Sequence, residues 1–254
     1  MNRISVSIIN KPEICDERLI SSLTRLTFSG KLANCDDLRE QLVDVDDRST
    51  TMAENIFKMN HSSIAEHLTL TFALHNISRA TSLEIVRHRM ASYTSSSTRY
   101  IDYSKALENP ADYFVTPIEI MEGTAEQKRI YKESCERSIR EYKNLIDSGQ
   151  KCEVARNVLP NAFRCDLIMT VNLRGLKNFL NLRLCGVTAS EINYVAMLMY
   201  EEILKLFPTI GHFFVPDCAC LPCPSCKQGK RIENCAYKGW TLEKMKERFK
   251  ILNN

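Results

Sequence analysis

No apolar run in this chain approaches the roughly 18 residues that a transmembrane helix needs, so a membrane-spanning protein is not expected. The opening stretch MNRISVSIINKPEICDERLI lacks both a long apolar core and a small-residue cleavage site; no secretory leader is expected, and the cytoplasm is the default location. A strong charge imbalance is missing as well, since 34 Lys and Arg stand against 31 Asp and Glu, a formal +3 with His neutral. Bulk electrostatics therefore gives no reason to expect a nucleic-acid partner, and any anion affinity must come from local clusters. There is no internal repeat and no obvious linker before Pro216. With 44% apolar and 26% charged residues the composition is that of an ordinary globular protein with enough apolar side chains for a sizeable core.

Cysteine is abundant, with eleven residues. Six are scattered (Cys15, Cys35, Cys135, Cys152, Cys165, Cys185) and five are packed between Cys218 and Cys235. An odd count without a leader reads as free thiols plus a metal site, not as a disulfide framework. In CACLPCPSCKQGKRIENC, Cys223 and Cys226 form a C-x-x-C knuckle, and Cys218 or Cys220 together with Cys235 would complete a tetrahedral thiolate site for structural zinc. An iron–sulfur cluster on the same ligands and a flexible thiol-rich tail are the alternatives. The expected organisation is one domain over residues 1–215 and a cysteine-rich tail with a terminal helix over 216–254.

Along the chain, ISVSII reads as a short strand, and helices are expected over Glu17 to Phe28 and Asp36 to Lys58. LTLTFALHNIS alternates Thr with apolar residues at period two and predicts a half-buried strand. Ile77, Ala80, Leu83, Val86 and Met90 fit a helical seam, which would place Arg87 to Arg89 in that helix's last turn. YSKALENPADYFVTP is expected to be a loop, and Gly123 to Ser148 a mostly exposed helix ended by Gly149. A helix over CEVARNVL should stop at Pro160; LIMTVN is a buried strand or helix segment, and LKNFLNLR and SEINYVAMLMYEEILKLF are helices. The sum is a helix-dominated α+β chain.

The stretch RHRMASYTSSSTRY, Arg87 to Tyr100, carries four potential cations, six Ser/Thr hydroxyls and no carboxylate. In a regular helix successive residues point 100° apart, so Arg87 and Arg89 can converge only if the helix is ending there. A cationic last turn against the helix dipole, followed by a Ser/Thr loop, is one reading. A cradle for a phosphate-bearing molecule is the other, with arginine forks supplying bidentate geometry.

This stretch resembles the signature of the flavin-dependent thymidylate synthases: an Arg-His-Arg triplet, seven residues, then a serine (Ser97) with an Arg-Tyr pair (Arg99, Tyr100) just after it. HSSIAEH upstream resembles that family's His-x-x-x-x-Glu-His element, and EVARNVLP with TVNLRGLKNFLNLR and SEI is similar to its second half. The resemblance covers roughly residues 20 to 205. It implies a helix-rich α+β fold with a central, mostly antiparallel sheet, and an enzyme that methylates deoxyuridylate using methylenetetrahydrofolate and a hydride from FAD reduced by NADPH. It implies a homotetramer with active sites shared between subunits. It further implies that His61, Arg87, His88, Arg89, Asn172 and Arg174 lie against FAD, and that Ser97, Arg99, Arg156 and Arg183 hold the nucleotide. Arg183 would stand near the pyrimidine, where charge develops as C5 becomes nucleophilic, and no cysteine would attack the base.

The chain departs from the family pattern at several places. Glu84 stands where glutamine is common, Thr94 and Ser95 where Asn-Glu is usual, and Val187 and Ala189 where histidine and glutamine are typical. A carboxylate near a nucleotide phosphate raises the electrostatic energy unless it is protonated or turned away. Alternatives to the parent reaction are therefore one-carbon transfer to another pyrimidine nucleotide, such as hydroxymethylation, and flavin or nucleotide binding without full activity. A nucleic-acid-binding module is disfavoured by basic residues dispersed over separate elements.

Overall fold

The computed structural model describes residues 3–12, 17–29, 48–61, 63–220, 235–237 and 239–253. Four strands form one antiparallel sheet in the order β1-β2-β4-β3, with β1 Ser5–Asn10, β2 Thr69–Ser78, β3 Ala91–Ser95 and β4 Arg164–Asn172. The helices used below are α1 Glu17–Ser29, α2 Arg48–Lys58, α3 Arg79–Ile85, α4 Ala125–Asp147, α5 Leu173–Arg183, α6 Ser190–Leu206 and α7 Leu242–Arg248. The helix-rich α+β expectation and its antiparallel sheet hold. Residues 36–47 of the helix expected over Asp36 to Lys58 lie outside the described residues; its remainder, α2, is helical.

The sheet follows from the period-two patterns of β2 and β4. Phe72 and Met169 are partners across the two central strands and both are fully buried, as are Leu70 and Phe179 nearby. Onto this face packs α6, whose Ile192, Val195, Ala196, Met199 and Ile203 are buried, so the long apolar helix forms the second layer of the core. Asn76 takes φ 59° at the β2 bulge, a left-handed position that Asn tolerates, and its amide accepts from Arg164 Nη1 at 2.8 Å. By contrast α4 is held locally: a Thr124–Gln127 capping box starts it, and Arg129 pairs with Glu126 and Glu133 on its exposed face.

Two expectations change around the signature. Ile77 lies in β2, and α3 ends at Ile85; Leu83, Val86 and Met90 are exposed, Met90 at 74%, so the helical seam does not exist. The Ser/Thr segment expected as a loop begins as strand β3. The edge position explains this, because Ala91 to Ser95 need only one partner, β4, and can leave polar side chains in water.

Beyond α6 the chain returns to the core. Tyr237, Met245 and Phe249 are buried in the main cluster, and a Cβ on Gly186 would stand 2.7 Å from Tyr237 Cδ2, so that loop needs glycine for the segment to seat. The Tyr237 hydroxyl donates to Asn193 Oδ1, while Asn193 Nδ2 donates to the carbonyls of Arg183 (2.6 Å) and Cys185 (3.3 Å). Asn193 is fully buried. Tyr237→Phe would strand its Oδ1 without a donor and should lower the unfolding free energy by about 1–3 kcal/mol. Urea denaturation checks this, and unchanged stability would mean that residues 235–237 do not dock there.

Candidate active site

The signature is positioned from both sides. Ser78 caps α3 by accepting from Thr81 N–H at 3.1 Å, and its own N–H donates to Glu191 Oε1 at 2.6 Å, which ties the start of α3 to the first turn of α6. At the far end of α3, Arg87 N–H donates to Glu84 O (3.4 Å) and His88 N–H to Ile85 O (3.0 Å), so the triplet occupies a turn that follows the helix. The condition for Arg87 and Arg89 to converge, a helix that ends there, is met. Tyr93 on β3 shares its hydroxyl proton between Ile85 O (3.1 Å) and His88 O (2.7 Å) and staples this turn to the strand. Burial pushes the Tyr93 phenol up to about 12, so it remains a donor.

Arg183, the last residue of α5, reaches the same turn. Its Nε donates to His88 Nε2 at 3.0 Å, Nη1 to Glu84 Oε2 at 3.2 Å, and Nη2 to Glu84 O at 3.4 Å. Burial, with the Arg183 charge adding to it, pushes His88 down to about 4. His88 is therefore neutral at pH 7, with its proton on Nδ1 because Nε2 accepts, and its ring meets Phe179 edge-on at 4.8 Å. Three of the five guanidinium N–H groups of Arg183 are engaged, which leaves two to donate to another group. The Glu84 carboxylate is thus turned onto Arg183. Arg87 and Arg89 are exposed, and among the described residues neither side chain has a hydrogen-bond or ion-pair partner.

The second part of the signature sits elsewhere. Five residues of β3 at about 3.3 Å each separate Arg87–Arg89 from Ser97–Arg99 by about 17 Å. There Ser97 Oγ accepts from Arg99 N–H (3.2 Å), Arg99 Nη2 pairs with Glu153 (3.0 Å), and Arg156 Nη1 donates to the buried Thr98 hydroxyl (3.4 Å). The structure thus brings Ser97, Arg99 and Arg156 together and places Arg183 with the other group.

A third group lies at the start of α5. The Asn172 side chain caps that helix by accepting from Gly175 N–H at 2.8 Å, and Arg174 pairs with Glu66. A Cβ on Gly175 would lie 3.1 Å from the Met90 carbonyl, so glycine there lets α5 begin against the signature turn. His61 is exposed after α2 and donates its backbone N–H to Ile56 O; among the described residues no hydrogen bond or ion pair joins it to this group. Of the expected metal ligands, Cys218 and Cys235 are in no disulfide, and Cys223 and Cys226 lie outside the described residues. Among the described residues no group of three or more His, Cys, Asp or Glu is placed to hold a metal.

Residues 13–209 match the family described as "Thymidylate synthase complementing protein". The chain belongs to that family. It is 33% identical over 210 residues to the flavin-dependent thymidylate synthase of Geobacter sulfurreducens, covering 82% of this chain and 86% of that one. With the flavin-dependent thymidylate synthase of Thermococcus kodakarensis it is 46% identical over 145 residues, spanning 57% of this chain and 58% of the relative. Two solved structures share the fold. One is a UMP/dUMP methylase, PolB from Streptomyces cacaoi, bound with 5-Br dUMP, at a TM-score of 0.66 and 23% identity over 84% of this chain and 95% of that chain. The other is the Helicobacter pylori ThyX complexed with FAD and dUMP, at 0.62 and 19%, covering 83% of this chain and 97% of that chain.

Family membership does not reveal several residues around these groups. Glu153 as the partner of Arg99, Phe179 beneath His88 and Tyr93 as the staple of the turn are brought in from other elements. Only Phe179, four residues before Arg183 and hence on the same helical face, left a signal in the sequence.

The depressed pKa of His88 gives a pH signature. Between the ordinary histidine value of about 6.5 and about 4, the unfolded chain takes up a proton that folded His88 refuses, so this group removes stability as pH falls through that window and has no effect above it. With allowance for its half-exposed position, the loss is on the order of 1 to 2 kcal/mol. In urea denaturation at pH 7 and pH 4.5, His88→Gln should lose correspondingly less stability on acidification than the parent chain; equal losses would contradict the assignment.

Proposed function

We propose that this chain is an FAD-dependent methyltransferase that converts dUMP to dTMP, with methylenetetrahydrofolate as one-carbon donor and NADPH as reductant. The observation that carries this reading is the pair Arg87 and Arg89, uncompensated among the described residues, beside the Arg183–His88–Glu84 cluster, in a chain of the flavin-dependent thymidylate synthase family. Two exposed guanidiniums that have no partner among the described residues fit the diphosphate of FAD; the start of α5, which carries Asn172 and Arg174, meets the turn where Gly175 approaches Met90, and His61 joins them by the family motif alone. The fit is poorer at Val187, whose apolar side chain offers no polar contact where the family has histidine. Bound FAD supplies the hydride.

The protein groups supply position and field. Ser97, Arg99 and Arg156 offer a hydroxyl and two guanidiniums to the nucleotide phosphate, and the phosphate would compete with Glu153 for Arg99. Arg183 directs its two remaining N–H groups at the pyrimidine and stabilises the negative charge that develops as C5 becomes nucleophilic. Neutral His88 and the Glu84 carboxylate hold that guanidinium in one orientation. Cys135 and Cys165 are pushed up by burial and stay protonated, in line with a reaction that needs no thiolate. About 17 Å of strand separates the two arginine groups of one chain, a wide span for a single nucleotide to cover within one subunit. This supports a homotetramer whose active sites are completed by neighbouring subunits. The cytoplasm is the proposed location; no helix among the described residues is long and apolar enough to cross a membrane.

Glu84 favours a second reading. A carboxylate in place of an amide reduces the net charge at Arg183 and adds an acceptor beside the base, which would suit another pyrimidine nucleotide or a hydroxymethyl product. The deciding experiment is anaerobic reduction of the FAD form by NADPH with and without dUMP, followed by product analysis with methylenetetrahydrofolate. Flavin reduction with formation of dTMP is expected; another product or nucleotide preference supports the second reading, and protein that neither carries nor takes up FAD overturns both. Arg87→Ala should abolish the flavin absorbance band.

The zinc site on Cys218, Cys223, Cys226 and Cys235 is proposed from cysteine spacing alone. Metal analysis of protein purified without chelators should find about one zinc per chain, and less than about a tenth of an equivalent of any transition metal would rule the site out.

A further inference from the structure

Away from the signature, a cavity of about 280 Å³ lies between the start of β1, the segment from Phe114 to Met121, the first turn of α6 and the chain after α7. Its lining is largely apolar, with Ile4, Phe114, Ile118, Tyr194, Phe249 and Leu252 contributing the walls. Ile4 precedes the family-matched residues 13–209, and Phe249 and Leu252 follow them. Segments on either side of the family-matched residues therefore complete an enclosure whose other walls lie within them, and no residue of the signature lines it.

The charges around the cavity are unequal in their commitments. Glu191 accepts the Ser78 N–H at 2.6 Å, and burial pushes its carboxyl up, so it is engaged and poorly disposed to hold a free negative charge. Arg3 is exposed and has no ion-pair partner among the described residues, yet its charge acts on the Tyr194 phenol in the cavity wall. The backbone beneath Arg3 is fixed, since Asn76 Nδ2 donates to the Arg3 carbonyl at 3.0 Å and Asn76 is itself held by Arg164. An apolar chamber with a guanidinium at its edge that has no ion-pair partner among the described residues is complementary to an apolar body carrying an anionic head.

We propose that this cavity binds a small aliphatic carboxylate, with its head on Arg3 and its chain among Ile118, Tyr194 and Phe249. The size suffices, because the volume is about twice the ~150 Å³ that accommodates the six carbons of benzene, so an eight-carbon chain can enter. A built-in reporter is linked to it through α7. Trp240, the single tryptophan, donates its indole N–H to Met245 Sδ at 2.9 Å, and Met245 lies on α7, directly before Phe249.

The test is titration of the full chain with octanoate, and with 1-octanol as the neutral probe, followed by Trp240 emission and by calorimetry for stoichiometry. One octanoate per chain is expected. Arg3→Gln, a change at an exposed residue, should weaken octanoate about tenfold and leave octanol within about twofold. Leu252→Trp, which narrows the chamber from its half-buried C-terminal wall and is read by calorimetry because it adds a second indole, should weaken both probes. The proposal is overturned if octanoate does not bind saturably, if neither variant changes its affinity, or if Arg3→Gln weakens octanol as much as octanoate.

Discussion

The pairing of β3 with β4 is the constraint on which the site depends. Ala91 faces Val171 and Ser95 faces Leu167, so the middle of the signature is locked in extended form and its two cationic groups are held at opposite ends of a strand. The same register brings Met90 to the start of α5, where Gly175 permits the close approach, and α5 then carries Arg183 back to His88. One strand pairing thus decides both what is kept apart and what is brought together.

Within the Arg183 group the electrostatics are closely balanced. Burial, reinforced by the guanidinium alongside, keeps the imidazole neutral, and the neutral ring in turn can accept from the guanidinium. Glu84 offsets part of the positive charge while fixing the arginine's direction. The same orientation is supported from behind, where Asn193 holds the Arg183 carbonyl and Tyr237 holds Asn193. The segment after α6 is thereby linked to the site through three buried or half-buried side chains, although it shares no residue with the signature.

Much of the architecture was legible in the residues. The alternation in LTLTFALHNIS marked β2, the Thr124 to Gly149 stretch marked α4, and the long apolar SEINYVAMLMYEEILKLF marked α6, because each pattern is long enough to average over local exceptions. The seam through Leu83, Val86 and Met90 misled for the opposite reason. Apolar spacing at i, i+3 and i+7 does not show whether a face meets a core, and these residues are exposed. β3 left little signal because an edge strand with one partner can be made largely of Ser, Thr and Tyr.

By itself the sequence determined the set of chemical groups: the Arg-His-Arg triplet, the Ser and Arg that follow it, the late arginines, and the family to which they belong. These are linear motifs whose spacing survives without knowledge of what lies opposite. Only the tertiary structure decided their partners. That Glu84 turns onto Arg183, that Glu153 occupies Arg99, and that the flanking segments complete an apolar chamber under Arg3 are contacts between residues about 50 to 250 positions apart in the chain. Such pairings arise from strand register and helix packing, which no local pattern encodes.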